Sequence, residues 1–198
     1  KNKLYKLACK IEIETLKQPI GKQDQFPAVY GGMNFIEFKK NDNVIYKRIN
    51  FKRFNSSLFQ NSLLVWTKIT RSATAELKHQ KKNFNKNYKN LLNIKDNLIN
   101  FKKTSNFKYV DLKLFGKFIS KGWKEKSTLI RKSKLIQINS IMKKNKNQIY
   151  GAKILGAGAG GFWYILGQKK NLDNIKKHNK YSINIEIEEQ GSQIICKL

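Results

Sequence analysis

Asp24 stands out because acids are scarce: 13 Asp and Glu face 41 Lys and Arg in this chain of 198 residues. It sits in the turn-rich run Gly21, Lys22, Gln23, Asp24, Gln25. A carboxylate presented by such a loop can accept the proton of a hydroxyl while a phosphoryl group is transferred to that oxygen. Lys22 nearby would favour the ionised carboxylate and offset phosphate charge. The same aspartate could instead bond its own backbone in an Asx turn, and the local sequence leaves both readings open. Glycine is the second chemical feature. It is concentrated at Gly156, Gly158, Gly160 and Gly161, interleaved with Ala157 and Ala159 and flanked by two apolar runs. Lacking a Cβ, such positions accept positive φ and let N–H groups approach a bound phosphate. A glycine hairpin with no ligand would show the same pattern.

Two familiar phosphate motifs do not fit these glycines. Gly156, Gly158 and Gly161 satisfy G-x-G-x-x-G, but that fingerprint needs a helix opening at the glycines, and Phe162, Trp163, Tyr164 and Ile165 follow as a strand-like run. A Walker A loop would end in Gly-Lys-Ser/Thr, whereas Gly161 precedes Phe162.

The flanking periodicities assign the elements that must position these residues. Leu4, Leu7, Ala8 and Ile11 mark the apolar face of a helix running toward Leu16 and stopping before Pro19. A turn-rich loop follows through Gly31 and Gly32, then a hairpin of strands 34–38 and 44–51 around Asn41, Asp42 and Asn43. Residues 63–66 read as a buried strand. Ser72 begins a helix carrying Glu76, Leu77 and Gln80, and places Thr70 and Arg71 near unpaired backbone donors. Tyr88, Leu91, Leu92, Leu98 and Ile99 form one helical stripe; Leu112, Phe115, Phe118, Ile119 and Trp123 form another. Ser133 caps a third helix with Ile138, Ile141 and Met142 inward. Strands at 153–155 and 162–166, a helix at 171–178 and strands at 183–187 and 194–196 complete an α+β order.

Composition narrows the class. The net charge of +28 invites a polyanion-binding reading, but it is almost all lysine spread along the chain, as an ordinary solvated surface would be. The expectation is therefore no specific nucleic-acid partner. No apolar run is long enough to span a bilayer, and no signal peptide opens the sequence, so a cytoplasmic location without membrane association is expected. Cys9 and Cys196 lie far apart and His79 and His178 are the only histidines, so no metal site is expected.

Taken together, the 21–25 segment, the run from Tyr30 through Phe38, the 69–73 segment with Thr70 and Arg71, and the 151–162 glycine segment resemble the GHMP small-molecule kinases, and within them the heptose-phosphate and related sugar kinases. The resemblance implies an S5-like N-terminal domain, of which residues 1–54 would be the last part, and a ferredoxin-like C-terminal domain over 55–198. It implies ATP with Mg²⁺ carried by the nucleotide, and a sugar or sugar-phosphate substrate. It implies Asp24 with Lys22 at the phosphoryl acceptor, Gly156 to Gly161 as a loop closing on nucleotide and substrate, and Arg71, Thr70 and Gln23 as substrate contacts. The family's Pro-x-x-x-Gly-Leu-Gly/Ser-Ser-Ser phosphate loop is not found. The implied picture is an N-terminally truncated member whose missing kinase segment would be a partner, or else a noncatalytic degenerate fragment.

Overall fold

The structure is a computed structural model and describes residues 1–49, 54–70, 72–104, 111–130, 135–136, 139 and 149–195. It divides into two compact units, Lys1–Lys52 with Glu186–Leu198, and Arg53–Ile185.

In the first unit, helix α1 (Asn2–Cys9) continues as a π-helical stretch over Lys10–Thr15. The wider turn is closed by Leu16 N–H donating to Ile11 O at 2.9 Å. The sequence carries two helical stripes here, and the fold buries the one not expected. Leu4, Leu7 and Ile11 stay 45%, 54% and 45% exposed, while Tyr5 and Cys9 are buried with Ile13 packed beside them. Aromatic packing decides the choice. Tyr5 meets Phe26 edge-on at 5.5 Å, and Phe26 stacks on Tyr30 at 4.3 Å, so rotating the leucines inward would break a ring cluster. Phe26 and Tyr30 come from α2 (Gln25–Tyr30).

Strands β1 (Asn34–Phe38) and β2 (Val44–Arg48) pair antiparallel, with Asn34 opposite Arg48 and Phe38 opposite Val44. Asn41 closes the turn by accepting from Asn43 N–H at 3.3 Å, with Asp42 at φ +62°. The expected extension of the second strand through residues 50 and 51 lies outside the described residues. Within this unit the 186–195 segment is irregular, contrary to the strands expected at 183–187 and 194–196. Its backbone groups pair with α2 and the turn after it: Gly32 N–H donates to Glu188 O at 2.6 Å and Ser192 N–H to Ala28 O at 3.1 Å. Cys196 lies outside the described residues.

The second unit holds an antiparallel four-stranded sheet in the order β4-β5-β3-β6, made of β3 (Ser62–Trp66), β4 (Ile149–Ile154), β5 (Phe162–Gly167) and the two-residue β6 (Ser182–Ile183). Its helices are α3 (Phe54–Gln60), α4 (Ala73–Lys82), α5 (Phe84–Thr104), α6 (Leu112–Ser127) and α7 (Lys169–Lys177). Leu63, Val65, Ala152, Ile154, Trp163 and Ile165 alternate inward from three strands and meet Leu172 and Ile175 of α7.

Helix α6 packs in two directions. Phe118 stacks on Phe101 of α5 at 4.2 Å, while Trp123 meets Trp163 of β5 edge-on at 5.3 Å. Because α5 packs chiefly on α6, the stripe expected on it is only partly used. Asn97 and Phe101 are buried, Asn97 donating to Phe118 O at 3.1 Å, and Tyr88, Leu92 and Leu98 remain exposed. The helix expected after Ser133, with Ile138, Ile141 and Met142, falls largely outside the described residues, Ser133 and those three among them.

Candidate functional site

Asp24 stands at the N-cap position of α2 with helical backbone angles, φ −76° and ψ −28°, and its side chain makes no capping bond. The carboxylate is exposed, so the Asx-turn alternative is not what the fold uses. Beside it Gln25 is buried, its amide nitrogen donating to the Glu12 carboxylate, and its Oε1 has no partner. Asp24, Gln25 and Glu12 line a cavity of about 290 Å³ with Leu4, Ala28 and Ser192. That is at the small end of small-molecule sites.

Lys22 does not turn to Asp24. Its Nζ lies 2.7 Å from Asp42 Oδ1 in the hairpin turn. This hydrogen bond raises the Lys22 ammonium above its usual range and lowers the Asp42 carboxyl below its own. Gln23 is exposed. Deeper in the unit, burial and then a hydrogen bond with Cys9 push the Tyr5 phenol up to about 12.

The glycine loop belongs to the second unit, where it connects β4 to β5. Gly156, Gly158, Gly160 and Gly161 all have positive φ, from +68° to +144°. A Cβ on Gly160 would stand 2.8 Å from Ile69 O, so both backbone angle and space demand glycine there. The base of the loop is sewn to the segment after β3: Thr67 N–H and Oγ1 each donate to Gly161 O at 2.8 Å, and Gly161 N–H donates to Ile69 O at 3.0 Å. Its crown is held by Gln80 Nε2 donating to Ala157 O at 2.9 Å and Lys126 Nζ donating to Gly156 O at 2.5 Å. Expected to close on a ligand, the loop is already pinned by side chains from three places in the unit, and Ala157 to Gly160 are buried.

Thr70 is exposed just beyond this seam, and Ser72 caps α4 by accepting from Ala75 N–H at 3.2 Å. Arg71 lies outside the described residues. Between Thr67 and Ile69, Lys68 is exposed and held at φ +61°, a left-handed conformation that costs a side chain with a Cβ. Lys68→Gly is expected to gain about 1 kcal/mol of stability in urea unfolding, without altering the fold. Lys153, opposite Tyr164 in the ladder, is held below the ordinary lysine range by burial.

Among the described residues no three His, Cys, Asp or Glu side chains gather as metal ligands, and no helix is long and apolar enough to cross a membrane.

No family model matches the chain. A comparison with curated proteins finds 32% identity over 182 residues to D-glycero-alpha-D-manno-heptose 7-phosphate kinase of Campylobacter jejuni, covering 89% of this chain and 51% of the relative. The chain is a relative of the GHMP kinases. It spans about half the length of the curated relative it matches. The solved structures that share its fold include two kinases. One is a D-glycero-D-manno-heptose 1-phosphate kinase from Bacteroides thetaiotaomicron, with a TM-score of 0.64 at 20% identity over 97% of this chain and 55% of that one. The other is a mevalonate kinase, with a TM-score of 0.65 at 19% identity over 96% and 57%.

In this GHMP kinase relative, sequence reasoning missed Thr67, Gln80 and Lys126. Gln80 was visible only as a residue of a helix face, and Lys126 is one lysine in a chain crowded with them. Thr67 carried a faint signal, a polar residue closing a buried strand.

Proposed function

We propose that the chain is part of an ATP-dependent sugar or sugar-phosphate kinase whose acceptor resembles a heptose phosphate. The observation that carries this reading is the 32% identity to a heptose 7-phosphate kinase across most of the chain. The unpartnered Asp24 carboxylate on a small cavity supports it. In the reaction, a sugar hydroxyl oxygen bonds to the γ-phosphorus as the bond to the β–γ bridging oxygen breaks and ADP departs. Asp24 takes the hydroxyl proton. ATP and Mg²⁺ supply the transferable group and its charge neutralisation. Mg²⁺ would arrive on the nucleotide, with its protein ligands on the polypeptide that corresponds to the uncovered half of the relative. The glycine loop, Thr70 and Gln23 would line the nucleotide and substrate, with Arg71 as a phosphate anchor. An S5-like first part and a ferredoxin-like second part remain the domain reading that goes with this function.

The exposed Leu4, Leu7 and Ile11 stripe favours a further element: polypeptide corresponding to the uncovered half of the relative packs on the first unit and completes the enzyme. The test is co-production of this chain with the unmatched portion of the Campylobacter kinase, followed by phosphate transfer from labelled ATP to heptose 7-phosphate and to unphosphorylated sugars. Transfer that requires both pieces is the expected result. A well-folded pair that phosphorylates no sugar would leave the chain as a noncatalytic kinase fragment.

A further inference from the structure

We infer that Gln80 and Lys126 are positioning residues for the glycine loop, each setting the orientation of one loop peptide. The inference rests on the proposal that this loop meets phosphate. Lys126, in the last turn of α6, takes the carbonyl of Gly156, and Gln80, on α4, takes that of Ala157. A trans peptide is planar, with its C=O and N–H pointing in opposite directions. Fixing the Gly156 carbonyl therefore turns the Ala157 amide away from α6. Fixing the Ala157 carbonyl likewise turns the Gly158 amide away from α4.

Glycine is what makes these anchors necessary. Gly156 and Gly158, at φ +68° and +103°, have no Cβ to restrict them, so a bare loop of this composition would sample many peptide orientations. The loop's base is fixed independently by Thr67 and Ile69, so the two crown anchors act on Gly156 to Gly158 rather than on the whole hairpin. A Cβ on Gly158 would lie 2.9 Å from Ile130 Cδ1 and 3.6 Å from Lys126 Cε, so glycine is what lets the crown sit this close to the end of α6. The amides are thus oriented before any ligand arrives, which removes reorganisation from binding.

The experiment uses the full chain labelled with ¹⁵N, as wild type, Gln80→Leu, Lys126→Met and Lys126→Arg, first free and then titrated with magnesium ATP into the millimolar range. In the free proteins, Lys126→Met is expected to displace the Ala157 amide signal and Gln80→Leu the Gly158 signal. Signals of Val65 and Ile165 should stay in place, and Lys126→Arg should restore Ala157. With ATP, both amides of the wild type should shift, and loss of either anchor should weaken that response about tenfold. Unmoved loop signals in the free Gln80→Leu and Lys126→Met proteins would overturn the positioning role. Displaced signals combined with a wild-type loop indifferent to ATP would uphold the positioning role and overturn the phosphate reading.

Discussion

Gly151→Ala is expected to cost about 3 kcal/mol or more. Its Cβ would fall 1.9 Å from Gly116 O and 2.4 Å from Gly116 C, both backbone atoms of α6. No side chain can swing aside to relieve that contact. The approach is mutual, because a Cβ on Gly116 would sit 2.5 Å from Tyr150 C and 2.6 Å from Tyr150 O. The helix and β4 therefore lie against each other backbone to backbone, at a point where the β4–β5 ladder shifts register between Ile149 and Gly151. Accommodating the methyl would lift α6 from the sheet. That would strain the Ala152 N–H bond to Ser120 Oγ, now 3.1 Å, and the Trp123–Trp163 contact. Gly122, in the same helix, is the control. A Cβ there would meet only Asn97 Nδ2 at 3.6 Å, so Gly122→Ala should gain about 0.5–1 kcal/mol from helix propensity. Urea midpoints moving in opposite directions would establish the contact; similar midpoints for the two variants would refute it.

That glycine pair shows where local sequence stops being informative. Gly151 was legible as the start of a glycine-rich segment, but its reason for being glycine is Gly116, in a distant helix, and no local pattern couples the two. The longer strands and helices were readable because each carries its own period, and Ser72 was readable as a cap because capping is a local bond, whereas the short helices α2 and α3 were not read and the strand expected at 183–187 ends at Ile183. The inward face of α1 was not readable. Both leucine and Tyr5–Cys9 stripes have helical spacing, and the choice was made by Phe26 and Tyr30 of another element. At the candidate site the scarcity of acids drew attention to Asp24, but the helix it heads was not legible: the run through Tyr30 carries turn residues and reads as loop, and the fold makes Gln25–Tyr30 helix α2. The anchors of the glycine loop were illegible for the opposite reason. Lysine and glutamine on helix faces are ordinary, and only the fold brings Lys126 and Gln80 to adjacent carbonyls.

Asp24→Asn in the completed enzyme is expected to lower the phosphoryl-transfer rate about 10³-fold with little change in stability. The two halves of this expectation have separate grounds. Stability should hold because the carboxylate is exposed and makes no capping bond, so the amide leaves no buried group without a partner. Rate should fall because an amide is nearly the same size but cannot take up the proton that the sugar hydroxyl must lose as its oxygen bonds to phosphorus. Lys22→Met provides the contrast. Its ammonium is committed to Asp42 at 2.7 Å, so its loss should disturb the hairpin turn and lower the rate far less than loss of the Asp24 charge. Single-turnover transfer and urea unfolding on the same preparations distinguish the outcomes. A near wild-type rate for Asp24→Asn would remove the carboxylate from the chemistry, and a larger loss from Lys22→Met would move the proton-handling role away from Asp24.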